Sequence, residues 1–495
     1  MSDSFVLRHP QDVASLVNSG RIRGGNAKFV VVIALAGIFM DAYDFTSIAF
    51  GLSYVQEAFH LSPLMLGITA GAILVGALIG SLLGGTLMDR IGREKVFTAD
   101  LVVLIIATLM CAVAPNAWFF LASRFLMGIS VGIDYPVAFS FIAEYSSHRN
   151  KGRALNLYAP VWYVAVGSTF VLLLIGYYVF QALSWDIGEL WRVVVAFGVV
   201  PTAAVLYLRR KYLTESPTWL AMNGDLHEAA AVLRKAYGVD VTVADDAVLR
   251  MPKRTRTEPV LQSFGRLWNR TYRPRTLLAL VVNFCQGAEY YAVGFSIGVV
   301  TQQVFGQTIL TGIVGPLAFN LLFGVGGGLL STWLAPRVRI SRLALWGFCG
   351  TTASLLLVNL FGQEPFDGAI WIAALFLGVF IFSHAAGPGT QGVVLATLSY
   401  PTSIRGVGVG FAQFGNRIGG TIGLVAWPAL TAAYGLDALL WLALMPFAGL
   451  LCLLVIRWDP ADKDVDAEDY DTAPSAVPAA EHMTPQTPAS PGGTL

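Results

Sequence analysis

Ionisable side chains inside long apolar runs cost several kcal/mol unless they are paired or wet, so each is a candidate for function. The first such run contains FMDAYDF, which sets Asp41 and Asp44 three residues apart on one helical face. A later run, RFLMGISVGIDYPVAFSFIAEY, carries Arg124, Asp134 and Glu144. Counting about 1.5 Å per residue, Asp44 stands about 25 Å above Ala27 and Arg124 about 9 Å below Trp118, similar depths that allow the two to pair. A carboxyl beside an arginine gives up its proton readily, and one stranded in an apolar site keeps it. A helix movement that parts Asp44 from Arg124 would therefore load a proton on one side and release it on the other. The plainer alternative is a permanent salt bridge. Asp41 either lines a cavity or caps a helix break. Asp134 is either an inner proton station or an interhelical hydrogen bond, and Pro136 two residues on is expected to loosen the helix.

The second half of the chain supplies groups suited to holding a solute. NFCQGAEYYAVGF clusters Gln286, Glu289 and Tyr290 near Asn283, either as substrate contacts or as a buried hydrogen-bonding face. His384 precedes Gly387-Pro388-Gly389, a sequence that predicts a broken helix and exposure to a cavity. Arg417 in QFGNRIGG lies about 18 Å into its run, counted from Arg405. An always-charged guanidinium there needs an anion, and its fork fits a carboxylate or phosphate bidentately. That anion is either Glu289 or a substrate.

The elements that must position these groups are membrane helices. Of 495 residues, 55% are hydrophobic and 13% charged, against about 25% charged in soluble domains. Twelve apolar runs are long enough to span a bilayer, which gives an all-α membrane protein with two six-helix bundles, residues 28–209 and 275–457. A polar segment, 210–274, links them and holds an amphipathic stretch near Asp225–Tyr237. Residues 1–27 are polar, so a cytoplasmic N-terminal segment with no cleavable leader is expected. Residues 458–495, acidic and then rich in Pro, Ala, Ser and Thr, are expected to be a disordered tail. Loops after even-numbered spans hold the basic residues and those after odd-numbered spans are acidic or neutral, such as Glu364 and Asp367, so both termini are placed in the cytoplasm. The four cysteines show neither a disulfide framework nor metal spacing, and no cofactor is expected.

GGTLMDRIGREK, between two apolar runs, resembles the loop 2-3 signature of the major facilitator superfamily, G-x-x-x-D-R-x-G-R-R/K, with Gly85, Asp89, Arg90, Gly92 and Arg93 in place. The resemblance implies alternating access, with these residues at a gate where Glu144 pairs with Arg90, Arg93 or Arg153. TESPTWLAMNGDLHEAAAVLRKAYG looks like the P-E-S-P-R-W-L segment of sugar porters, with Thr218 in place of the usual Arg. In that family a span-one Asp and a span-four Arg couple protons, which maps to Asp44 and Arg124. DAYDF and GIDYP resemble phosphate:proton symporters, whose matching positions here are Asp41, Asp44, Asp134 and Tyr135. The blend is most similar to bacterial metabolite:proton symporters, which include carriers of aromatic acids and other organic anions.

Together these readings give a monomeric secondary transporter of the inner (plasma) membrane that takes up a small polar or anionic metabolite with protons. The substrate contacts are Tyr135, Gln286, Glu289, Tyr290, His384 and Arg417. A sugar or inorganic phosphate symporter is the alternative, and a nutrient-sensing receptor on the same scaffold is the alternative of another class. No nucleophile–base pair or nucleotide-binding loop supports an enzyme, and nothing in the charge balance points to nucleic acid. The GxxxGPxxGG signature of drug exporters is absent from span five. The second-half counterpart of Glu144 is Leu398, so the gate is expected to be held mainly by the first bundle.

Overall fold

In hydrocarbon a backbone can satisfy its N–H and C=O groups only within helices or closed barrels, and among the described residues the apolar runs form helices. The computed structural model describes residues 4–20, 26–48, 51–247, 260–294, 308–363, 369–461 and 463–469. Glu364, Asp367, residues 295–303 of the seventh span and the tail beyond Asp469 lie outside the described residues.

The first half runs α1 (Pro10–Ser19), α2 (Ala27–Thr46), α3 (Leu52–Ala58), α4 (Pro63–Ile91), α5 (Arg93–Ala112), α6 (Ala117–Glu144), α7 (His148–Asn156), α8 (Tyr158–Ala182), α9 (Leu190–Phe197) and α10 (Val199–Tyr212). The linker holds α11 (Pro217–Met222), α12 (Leu226–Tyr237) and α13 (Val260–Leu267). The second half runs α14 (Arg273–Gly294), α15 (Ile309–Phe319), α16 (Gly326–Leu334), α17 (Ile340–Gly362), α18 (Ala369–Ala386), α19 (Pro388–Leu398), α20 (Arg405–Tyr434) and α21 (Ala438–Val455). Among the described residues ten stretches are long and apolar enough to span a bilayer, and one of them, Arg405–Val455, contains two helices. Helix α14 falls short of that criterion because it carries Asn283, Gln286 and Glu289, yet it packs along α20 as a twelfth span.

Local chemistry explains the breaks. Gly92, at φ +105°, turns the chain between α4 and α5. The expected break of the tenth span falls at Gly387, between α18 and α19. The eighth span bulges through a π-helical stretch, Asn320–Val325. Pro136 does not break α6, which runs unbroken from Ala117 to Glu144. Helix α12 starts where the Asp225 side chain accepts the Glu228 N–H and stops at Gly238, in the left-handed region, burying Leu226, Ala229, Leu233 and Tyr237. A small addition to the helical fold is a parallel pair of strands, β1 (Ser4–Leu7) with β2 (Asp240–Val243), which ties the N-terminal segment to the linker.

The N-terminal segment, the linker and the loops after even-numbered spans gather at one end of the molecule, called here the linker end. The halves meet there along α4 and α20. Within the first half, α4 and α6 touch backbone to backbone: a Cβ on Gly128 would lie 2.1 Å from the Ile73 carbonyl oxygen, and one on Gly132 would lie 2.3 Å from that of Ala77. Such small-residue seams let membrane helices approach closely. Gly128→Leu is accordingly expected to destabilise the first half by about 1–3 kcal/mol through overpacking, read as a lowered melting temperature of the purified protein in detergent. An unchanged melting temperature would contradict the contact.

Candidate functional site

Three clusters emerge: a gate at the linker end, a string of acids in the first half, and a cavity between the halves. At the gate, Arg93 is fully buried and lies 3.2 Å from both Asp89 and Glu144. It donates to the Thr402 carbonyl of the second half at 3.0 Å. Asp89 accepts the Val407 N–H at 3.0 Å, while Gly85 faces Gly406 so closely that a Cβ on either would collide with the other's carbonyl. Arg90 is partly buried at the end of α4.

Glu144 pairs with Arg93, one of its three expected partners, and with a second arginine that was not expected. Its carboxylate lies 3.2 Å from Arg93 and also 3.2 Å from Arg405 of the second half. Arg153 is exposed on α7. Arg405 was missed as the partner because 261 residues separate it from Glu144.

The acidic tail is a second correction. Residues 463–469 are ordered against the linker end. Asp466 reaches both Lys151, at 2.9 Å, and Arg405, while Glu468 forms a bidentate pair with Arg275 at 3.0 and 2.9 Å. Burial alone would raise the Asp466 carboxyl, but Arg405 and Lys151 beside it hold it well below the usual carboxylate range. Composition misled here because charge complementarity with a distant surface does not appear in it.

In the first half, Arg124 comes to Asp44 as depth-counting anticipated, but its guanidinium donates to the Asp44 backbone carbonyl at 3.2 Å. Neither oxygen of the Asp44 carboxyl, nor of the Asp41 carboxyl, has a hydrogen-bond partner. Asp134 is ion-paired at 2.7 Å with Arg209, which also holds Asp100 at 2.9 Å. Both of those partners escaped the sequence reading. Asp100 follows Lys95 closely and Arg209 opens the run Arg209-Arg210-Lys211, so each looked like a span end.

The cavity is lined by Tyr135, Gln286, Tyr290, His384 and Arg417 of the expected set, together with Tyr158, Trp162, Tyr163, Tyr291, Gln413 and Asn416. Glu289 is not part of the lining. It is fully buried behind His384, whose Nδ1 lies 3.0 Å from its carboxylate, so its expected substrate contact is replaced by support of the imidazole. The His384 ring stacks on Tyr290, with centroids 4.8 Å apart. Arg417, 2% exposed, donates to the Tyr291 hydroxyl at 2.7 Å and rests against the rings of Phe45 and Tyr135, about 4.9 and 4.8 Å from their centroids. Its Nε and Nη2 have no protein partner. No Asp or Glu is among the described residues of the lining.

The model of the sugar (and other) transporter family matches residues 29–458. The chain belongs to that family. It is similar to the inner membrane metabolite transport protein YgcS of Escherichia coli, 27% identical with 84% of this chain and 87% of that protein aligned. It is also similar to the niacin transporter NiaP of Acinetobacter baylyi, 28% identical with 79% and 83% aligned. Among solved structures it superposes on the major facilitator superfamily proton:xylose symporter XylE at a TM-score of 0.73 and 18% identity, over 92% of this chain and 99% of that one. The chain is therefore a multi-pass membrane transporter with the major facilitator fold, not an enzyme.

Glu215 fastens the linker to the gate. Its carboxylate accepts the backbone N–H groups of Arg93 at 2.9 Å and Ser216 at 2.9 Å. Burial pushes it up to about 7, against those bonds and the nearby Arg93 charge, which lower it. The folded state thus holds a proton, between the ordinary 4.5 and about 7, that the unfolded state releases, and stability falls as pH rises across that window. Hydrogen exchange of residues 217–237, corrected for intrinsic rates, is expected to accelerate as pH rises through 7, and Glu215→Gln to flatten that dependence.

Proposed function

We propose that this transporter takes up a small organic anion together with protons. The carrying observation is Arg417, a permanent charge sealed in the cavity wall with two guanidinium nitrogens unpaired and no acidic residue among the described lining. A carboxylate seated on that fork would supply the missing counter-charge. The rings of Tyr135, Tyr158, Trp162 and Tyr290 favour an apolar or planar body beside it, and Gln286, Gln413 and Asn416 add hydrogen bonds for its polar edge.

Asp44, whose backbone carbonyl accepts from Arg124, and Asp41, both buried with no hydrogen-bond partner on either carboxyl oxygen, are the proton-binding groups of this reading. Each net positive charge carried inward through 100 mV contributes about 2.3 kcal/mol. Placing the basic linker end in the cytoplasm makes uptake the natural direction in an inner (plasma) membrane. The amide-rich side of the cavity supports a second reading, a neutral polyol such as a sugar.

Purified protein in liposomes, offered phosphate, sugar acids, aromatic acids, inositol and hexoses in turn, separates these readings. An organic anion is expected to drive proton entry. Asp44→Asn should abolish the proton movement, and Arg417→Gln should weaken the anion's apparent affinity at least about tenfold, the loss of one charge-assisted bidentate contact. Transport of hexose or inositol insensitive to Arg417→Gln would establish the polyol reading, and binding without flux would establish a receptor.

A further inference from the structure

Besides the α4–α20 seam, the halves meet where α7 and α8 of the first face α16 and α19 of the second. Asn156, the last residue of α7, is fully buried there. Its Nδ2 donates to the Gly152 carbonyl at 2.7 Å, which leaves Oδ1 turned to the second half. Oδ1 accepts from the Ser331 hydroxyl at 2.7 Å and from Gln391 Nε2 at 2.7 Å. Gln391 Nε2 also donates to the Ser331 oxygen at 2.8 Å, which closes a triangle. The Asn156 carbonyl, at a helix end where intrahelical donors run out, accepts from the Thr332 hydroxyl at 3.0 Å. All four residues are buried.

Gly328 permits this approach, since a Cβ there would lie 2.6 Å from the Pro160 nitrogen. Ala159 on α8, and Thr390 and Val393 on α19, line the cavity, so the helices that carry the triangle also carry part of the cavity wall. None of the four residues bears a charge, unlike Arg93, Glu144 and Arg405 across the other seam. No protonation step can release them; only separation and hydration can. Buried polar groups pair well only while each finds its partner. Gln391 Oε1 has none in the closed arrangement. Water reaching this atom on opening offsets part of the bonds that opening breaks, which makes the contact one that can be undone.

We propose that Asn156, Ser331, Thr332 and Gln391 form an uncharged clasp that closes the linker end beside the cavity, independently of the ionic gate. Both must part before a solute leaves on that side. The clasp brings three second-half side chains onto one first-half residue, where the gate signature is carried by the first half. It requires only that the linker end opens during transport, and rests on neither the anion nor the proton reading.

The test is the distance between spin labels in the full chain in lipid nanodiscs. The labels sit at Arg149→Cys on α7 and Arg337→Cys beyond α16, both exposed, with Cys349→Ala and Cys452→Ala in the background. One short distance is expected to dominate. Asn156→Ala and Gln391→Ala should each raise the ratio of long to short distances at least about fivefold, the loss of one buried hydrogen-bond partner. Thr332→Val, which keeps the shape, should shift it in the same direction. The two alanine variants combined should fall short of the product of their single effects, because they share one triangle, whereas Asn156→Ala with Glu144→Gln should multiply. An unchanged ratio in Gln391→Ala and Thr332→Val overturns the clasp, even where Asn156→Ala fails to fold. Failure of Asn156→Ala and Glu144→Gln to multiply overturns its independence of the ionic gate. No solute or proton gradient enters the assay, so its outcome stands apart from that of the flux measurements.

Discussion

Glu144 is the carboxylate on which the two halves of this molecule close. It accepts one arginine from its own half, Arg93, and one from the other, Arg405. A buried charge that loses its partner is strongly destabilising, so neither arginine can leave without a replacement, and the contacts around the pair follow from that. Asp89 takes a backbone N–H from the start of α20, Gly85 and Gly406 press together, and Glu215 pins the linker beneath the Gly92 turn. A linker end held by ion pairs rather than by apolar packing alone can open when water or a different set of partners takes over the charges.

The two halves divide the ionic labour unequally. The first half buries Asp41, Asp44, Asp100 and Asp134 with only Arg124 and Arg209 near them. The second half buries Arg417 near the cavity and satisfies its own acid, Glu289, with His384. In the proposed reading, proton chemistry and anion chemistry therefore fall on different halves. Tyr135 and Tyr291 stand where they meet, against Arg417.

What the sequence revealed depended on how local each signal was. Apolar length announced the spans, and the turn at Gly92, the break at Gly387 and the cap at Asp225 are short-range chemistry that a linear reading catches. Asp44 and Arg124 were matched correctly in depth, because rise per residue is nearly constant, but depth says nothing of side-chain aim, and Arg124 turned to a carbonyl. Pairs such as Glu144 with Arg405, or Glu289 with His384, join residues far apart in the chain, and nothing local encodes them. Asp100 and Arg209 were hidden by neighbouring basic residues that imitate a membrane border.

Asp466 gives the C-terminus an unexpected standing. In the second half Leu398 occupies the place of Glu144, and an acid is supplied to Lys151 and Arg405 from beyond the last helix instead. The end of the chain is where expression work usually begins trimming and where affinity tags are attached. Ending a clone at the close of α21 would look harmless on a hydropathy plot and would remove part of the charge that holds the molecule shut, so a shortened protein and the full one are different machines.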